Sequence, residues 1–479
     1  MKNLTVLLLL SACTPATVFE GDTATSSDSG IDTVDTSDTD DTSDTSDTSD
    51  TDTEAHPDGI TVEPHDDVET VLVVTWPQES DAELSWIEYS FEDTVMSTPP
   101  VARSTGEQSA VLLGIPATTE VTLTIYSQTG ADTTALEPAI GETGDLPSDL
   151  PEPTLVTYDP DLASPEGWAL ISVDNSEPEQ WYSAPFFVLI LDRQSRVVWY
   201  HEVPERRVSM FPQVSLDGTH LVFDEGTAYF ATANDPQIRR VSLDFSYNEL
   251  IDVDGLTYGF TEVEGGGFIR DQGGGGSYSL IEQDADGSQR TIWDCNPWLV
   301  ANYGNGQCYT NAVNYSPVTN TILWSLPYHD TVLEIDRDSG DVLRVFGEIA
   351  PTHDTVPIES LFDFQHYPNY TPDGTFMASM HIEGTGDQQR AREYEVNDVT
   401  GELTEIWAYG EDIDDEYAYY SGEAYRLANG NTLMNYGTGG AAREVTYDKA
   451  VVWDIAFPDR MLTGHLSLID DLYALLGPE

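Results

Sequence analysis

Apolar and polar residues alternate over short stretches through most of the chain, and they seldom recur at the spacing of a helix face. The runs Val68–Trp76, Ala82–Ser90 and Glu120–Gln128 predict strands, separated by turn-rich segments. Beyond residue 150 a unit repeats. One strand follows an Asp-Gly or Asn-Gly turn. A second carries a small apolar-Asp signature, and a third ends in a large apolar residue, often Trp. The first copy is FFVLILDRQSRVVWY. The second is SLDGTHLVFDEG with IRRVSLDFSYNELIDVDG, and the third EGGGFIRDQ with YSLIEQDADGSQRTIWD. The fourth is YSPVTNTILWSL with TVLEIDRDSGDVLRVFG, the fifth YTPDGTFMASMH with AREYEVNDVTGELTEIWAYG, and the sixth LANGNTLMNYG with AREVTYDKAVVWDI. Only LSLIDDLYALL, near the C-terminus, reads as a helix.

These patterns predict an all-β chain. Units of roughly 40–60 residues are the signature of a β-propeller with four-stranded blades, here six-bladed over 151–479. A pair of β-sandwiches is the alternative. Residues 58–150 predict a small β-sandwich. Within it, Leu113-Gly114-Ile115-Pro116 followed by the strand from Glu120 resembles the fibronectin type III or immunoglobulin-like sandwich. A Pro-rich linker, Leu146–Pro153, joins the two. The Gly-rich stretch Glu264–Gly276 has no following helix and no Lys, so it reads as a flexible loop at a blade edge, not a phosphate loop. Asp284–Gly287 and Asp336–Gly340 read as hairpin turns, because neither has the acidic residue a calcium loop places last.

Charge narrows the function. Of 479 residues, 86 are Asp or Glu and 18 are Lys or Arg, a formal net charge of -68. Such a field repels phosphate backbones, which argues against nucleic-acid binding. No apolar run is long enough for a membrane-spanning helix. The first 13 residues have one Lys, a short apolar stretch and Leu10-Ser11-Ala12-Cys13. That ending resembles the lipobox of bacterial lipoproteins. The likeness implies export, a lipid on Cys13 and, with Thr14 following, the outer membrane. Residues 14–57 are an Asp/Thr/Ser tether with almost nothing to bury, expected to stay disordered. Cys295 and Cys308 then remain as an even pair in an oxidising compartment. They form either a disulfide or two buried thiols.

Histidine carries the candidate chemistry, because it serves as nucleophile, acid or base near neutral pH. Eight of the nine fall before the repeats or among outer strands and loops, where a structural role is the ordinary one. His366 differs. It stands in Phe364-Gln365-His366-Tyr367, at the head of the fifth repeat, where an inner strand meets a central channel.

FQHYPNYTPDGTFM and the following QQRAREYEVNDVTGELTEIWAYG resemble the bacterial arylsulfate sulfotransferase family. Arg390, Glu393, Tyr394, Trp407, Tyr409 and Gly410 fall in matching places, and SGEAYRLANGNTLMNYG and the VVWDI ending at Trp453 extend the likeness. It covers about Gly59 to Glu479. The resemblance implies sulfuryl transfer from a phenolic sulfate ester to a phenol acceptor, through a transient sulfo-histidine at His366, with no cofactor and no metal. Asn311 matches a family Asn, whereas Tyr309 stands where the family has His. Tyr258 lies where a further His is expected, and the stretch Leu326-Pro327-Tyr328 has no Arg where the family has one, although His329 is near. A hydroxyl donates a hydrogen bond but brings no positive charge at pH 7. Two readings follow. Either His366, Asn311, Tyr309 and Tyr258 form a rebuilt catalytic site, with an Arg such as Arg270 close by, or the scaffold is a surface-anchored propeller that binds a ligand or a protein without chemistry. A monomer and a dimer fit the sequence equally.

Overall fold

The computed structural model describes residues 59–477, apart from 177–182, 205–206, 227–234, 275–276, 305, 307, 383–387, 411–417 and 419–420. The signal segment, Cys13 and the tether of residues 14–57 lie outside the described residues.

Six antiparallel sheets follow one another along residues 154–469, each a meander whose strands pair in chain order. Sheet 2 is Gln213–Val214, Leu221–Glu225, Gln237–Val241 and Asn248–Asp252. Sheet 3 is Phe260–Val263, Gly267–Gly274, Ser277–Gln283 and Gln289–Asp294. Sheet 4 is Val313–Ser316, Thr321–Leu326, Thr331–Asp336 and Val342–Gly347. Sheet 5 runs Gln365–Tyr370, Phe376–Ile382, Gln388–Asn397 and Glu402–Tyr409, with Asp354–Val356 added in parallel. Sheet 6 is Glu423–Arg426, Thr432–Asn435, Ala441–Val445 and Val451–Ala456, and Thr154–Tyr158 pairs on its far edge. Sheet 1 closes the set. Its strands Trp168–Asp174, Phe186–Asp192 and Val197–Glu202 come from the start of this region, and Thr463–Ile469 adds on the inside. Trp168 lies opposite Ile469 and Ile171 opposite Leu466.

First strands of neighbouring sheets touch, as in a β-propeller. Thr261 Oγ1 donates to the Val313 carbonyl (3.1 Å), Asn314 Nδ2 to Pro368 (2.7 Å) and Asn369 Nδ2 to Ala424 (2.9 Å). His465 N donates to the Met210 carbonyl at 2.7 Å. The middle strands are covered on both faces. Phe186–Leu191 and Thr321–Leu326 are therefore continuous buried runs, not alternating ones.

A basic side chain meets a carboxylate at each boundary between consecutive sheets, Arg at five of them and His201 at the sixth. Arg193 meets Glu444, His201 lies 3.4 Å from Glu225, and Arg240 meets Glu262 at 2.7 Å. Arg337 meets Glu282, Arg344 meets Asp398 at 2.7 Å, and Arg426 meets Glu393. Four of these guanidiniums also lie over an aromatic ring: Arg193 on Trp453, Arg240 on Phe268, Arg337 on Tyr315 and Arg426 on Trp407. The scarce arginines of this acidic chain are thus spent between sheets.

Residues 59–150 form two further sheets. Thr61–Pro64, Leu72–Gln78 and Gly106–Leu112 make one, and Ala82–Phe91 with Glu120–Thr129 centre the other. Trp76, Ile87, Tyr89, Leu112, Val121 and Leu123 fill the space between them. Contacts tie this part to the rest of one compact unit: Tyr89 Oη lies 2.9 Å from Tyr473 Oη, and Thr70 Oγ1 donates to the Val198 carbonyl (2.9 Å).

Three sequence expectations need correction. Thr463–Ile469 is a strand, and only Tyr473–Leu475 is a short helical turn. Pairing with Trp168–Asp174, almost 300 residues earlier, overrides the local helical spacing. Within the described part of the Gly-rich stretch, only Glu264–Gly266 is a turn. Gly267–Gly274 is a ladder strand with Phe268, Ile269, Arg270 and Asp271 buried. An unforeseen helix, Cys295–Tyr303, follows sheet 3 and ends at Gly304 in the left-handed region (φ 78°). Cys295 and Cys308 form a disulfide that pins this helix against the core between sheets 3 and 4. Among the described residues no helix is long and apolar enough to cross a membrane.

Candidate functional site

The inner strand of sheet 5 is irregular at His366. Gln365 pairs with Met380 and His366 with Ser379, and the register slips before Asn369 meets Met377. Phe364 and Tyr367, on either side, both have φ of 47°. A non-glycine residue in that region costs about 1–2 kcal/mol, so two of them flanking one dipeptide mark a conformation held by its surroundings. A bulge of this kind re-aims a side chain. Here the side chain of Gln365 goes into the sheet boundary, where Nε2 donates to Ser325 Oγ and to the Thr331 carbonyl, both at 3.0 Å. The side chain of His366 lines a cavity of about 30 Å³, roughly twice the space one water needs.

His366 is 4% exposed. Its ring lies 4.8 Å from that of His381 and 5.5 Å from Phe364. Burial, with the His381 ring beside it, holds its pKa well below the ordinary histidine value. The imidazole is therefore neutral at pH 7, and its buried Nε2 has no hydrogen-bond partner among the described residues.

Two of the other predicted residues share that cavity. Asn311 donates from Nδ2 to the Gln365 carbonyl at 2.8 Å, and its buried Oδ1 has no partner among the described residues. The Tyr258 ring packs on Phe211 at 5.3 Å, and its backbone N–H is held by Asp271 at 2.9 Å. Tyr309 does not line the cavity. It is 45% exposed and sits between Tyr278 and Tyr328, at 5.6 and 5.5 Å. From Tyr328 the ring contacts continue to Phe364 (5.4 Å) and so to His366. Arg270 is fully buried and bound to Gln283, and it does not line the cavity either. His329 rests edge-on against Tyr303 at 4.8 Å.

The sequence reading missed Glu423 and His465. It leaves His465 among outer strands and loops, next to the segment that reads as a helix from Leu466. The strand Thr463–Ile469 instead brings it to the inside of sheet 1, in the same cavity as His366. His465 Nδ1 bonds Glu423 Oε2 at 2.6 Å, and Glu423 Oε1 accepts the Leu466 N–H at 2.6 Å. Tyr367 stacks on His465 at 5.0 Å. Phe211, Tyr367 and His465 also line a larger channel of about 690 Å³ along the inner strands, so they stand between the two spaces.

The chain matches no family model, and no curated protein matches it. Solved structures match at low similarity. A protein of unknown function from Bacteroides caccae is 11% identical with a TM-score of 0.43, covering 64% of this chain and all of that one. A streptogramin B lyase is 16% identical with a TM-score of 0.38, covering 66% and 98%. A luciferin-regenerating enzyme is 13% identical with a TM-score of 0.34, covering 53% and 78%. Likeness at this level carries nothing about substrate or chemistry here.

One titration near the cavity is testable. Asp224 accepts the N–H groups of Met210 (2.9 Å) and Phe211 (2.8 Å), and burial pushes its pKa up to about 7. The native state therefore keeps a proton that the unfolded chain has already lost. The stability linked to it is complete below the ordinary value of 3.8 and is lost as pH rises through about 7. Asp224→Asn keeps an acceptor and removes the titration. Urea unfolding at several pH values is expected to show a flatter pH dependence between 4 and 7 in this variant. An unchanged slope contradicts the assignment.

Proposed function

We propose that the chain is an exported, lipid-anchored enzyme that transfers a sulfuryl group from a phenolic sulfate ester to a phenol. His366 is the nucleophile of this reading. Its scaffold is a six-bladed propeller over 151–479, preceded by a fibronectin III-like sandwich over 58–150. The observation that carries the reading is the neutral, buried imidazole whose Nε2 has no partner and lines a cavity beside Asn311 and Tyr258. An unprotonated imidazole attacks; an imidazolium does not.

In the first half-reaction the His366 nitrogen lone pair forms a bond to sulfur, the ester S–O bond breaks, and a phenolate leaves. In the second, the phenol oxygen bonds to sulfur, the N–S bond breaks, and the electron pair returns to His366. The small cavity has no room for an aromatic ring, so the donor ring lies outside it. No Arg or Lys lines the cavity among the described residues. The sulfuryl oxygens then depend on hydrogen bonds from the Tyr258 hydroxyl and from the second Nδ2–H of Asn311, the first being given to the Gln365 carbonyl; such a donor is worth roughly 3–4 kcal/mol where it is preorganised. The Cys295–Cys308 disulfide supports the exported reading, with Cys13 as the lipidated residue.

The test mixes the protein with 4-nitrophenyl sulfate, at low and high salt, with and without phenol. High salt is included because the acidic surface repels an anionic donor. Nitrophenol release that rises with phenol supports the transferase. Release independent of phenol points to hydrolysis. No release from folded protein at either salt favours a non-catalytic binding module.

A further inference from the structure

We infer that His465, oriented by Glu423, is the acid–base partner of His366 in the transfer. This rests on the reading of His366 as nucleophile, and it gives roles to two residues, Glu423 in SGEAYRLANGNTLMNYG and His465, for which the resemblance implied none. Glu423 is buried, and its two oxygens are committed to His465 Nδ1 and the Leu466 N–H. The carboxylate fixes the imidazole as the Nδ1–H tautomer and leaves Nε2 with its lone pair. That nitrogen has no hydrogen bond to a described residue, and the ring lines the same cavity as the unpartnered Nε2 of His366. The ring is fixed from two sides, by Glu423 and by the stacked Tyr367, with Tyr425 at 6.3 Å.

The proton balance needs such a group. When the phenol attacks the sulfo-histidine, its O–H proton passes to His465 Nε2 as the S–O bond forms and the N–S bond breaks. The resulting imidazolium is held beside the Glu423 carboxylate. In the next cycle it returns the proton to the leaving phenolate oxygen as the ester S–O bond breaks. Between these steps it also supplies the positive charge that the cavity otherwise lacks. The titratable groups facing it are Glu423, Tyr367, Tyr425, Tyr258 and His366.

His465→Gln and Glu423→Gln test this in rapid-quench and steady-state assays on the full chain, with thermal unfolding as the check of folding. 4-Nitrophenolate leaves readily without a proton, so His465→Gln still gives a nitrophenol burst equal to the enzyme present. Transfer to phenol falls by about 100-fold or more, in kcat and not in KM. Glu423→Gln shows a smaller loss of the same kind. Folded variants with wild-type transfer overturn the proposal while leaving His366 standing. A wild-type protein that gives no burst overturns both. Should the variants fail to fold, the wild type decides: transfer to phenol slows in heavy water if a proton moves in that step, and an absent effect overturns the role of His465.

Discussion

His366→Asn is expected to abolish phenol-dependent sulfuryl transfer, by on the order of 10⁴-fold or more, because it removes the atom that carries the group between donor and acceptor. Folding should survive. The His366 side chain makes no hydrogen bond through Nε2, and Asn keeps a small polar group among Asn311, Tyr258 and Phe364. The decisive comparison is the burst. If His366 acts covalently, the variant loses both the burst and turnover, whereas Tyr258→Phe and Asn311→Ala lower rates while keeping a burst. Tyr309→Phe is expected to act weakly, since Tyr309 lies outside the cavity with its ring in a surface cluster. Retained transfer in a folded His366→Asn protein, measured with 4-nitrophenyl sulfate and phenol, removes His366 from the mechanism.

The second large effect is on stability. Glu444 is fully buried between sheets 6 and 1 and holds Arg193, the Ser164 N–H (2.6 Å) and Asn431 Nδ2 (2.6 Å). Arg193 in turn lies over Trp453, 4.6 Å from the ring centroid. Glu444→Ala leaves a buried guanidinium without its counter-charge, and the expected cost is about 3–5 kcal/mol in urea unfolding. The exposed pair of Arg196 and Glu92 is the control. Glu92→Gln is expected to cost about 1 kcal/mol or less. Equal losses in the two variants would show that the boundary between the last and first sheets is not held by its charged pair. Replacing both partners, Arg193→Met with Glu444→Leu, should recover much of the loss, because the penalty comes from a buried charge left alone.

The repeated sheets are readable in the sequence because each one carries its own local signals. A Gly turn, an apolar-Asp signature and a terminal Trp recur, and the strands of one sheet are neighbours in the chain. Asp224 and Asp271, one strand earlier than the signature Asp, are buried and cap the backbone N–H groups leading into the inner strand of their sheets. What depends on distant pairing is not readable. LSLIDDLYALL has helical spacing, and only the register against Trp168–Asp174 makes its first half a strand. The place of His465 at the cavity follows from the same distant pairing. The helix Cys295–Tyr303 escaped notice because it lacks an N-cap bond and a marked apolar stripe, and the disulfide supplies much of its restraint. His366, by contrast, was visible from its position before the Asp373-Gly374 turn. The strained φ values of Phe364 and Tyr367 were not, since neither residue type announces such a conformation.

The most direct test of the account is to look for the covalent intermediate. The protein is mixed with 4-nitrophenyl sulfate without acceptor, quenched in alkali, digested and analysed by mass spectrometry. The account predicts a sulfuryl group on the peptide that contains His366. It also predicts that the label is lost on adding phenol before the quench. Nitrophenol release with no label on that peptide, or with the label on another residue, contradicts it.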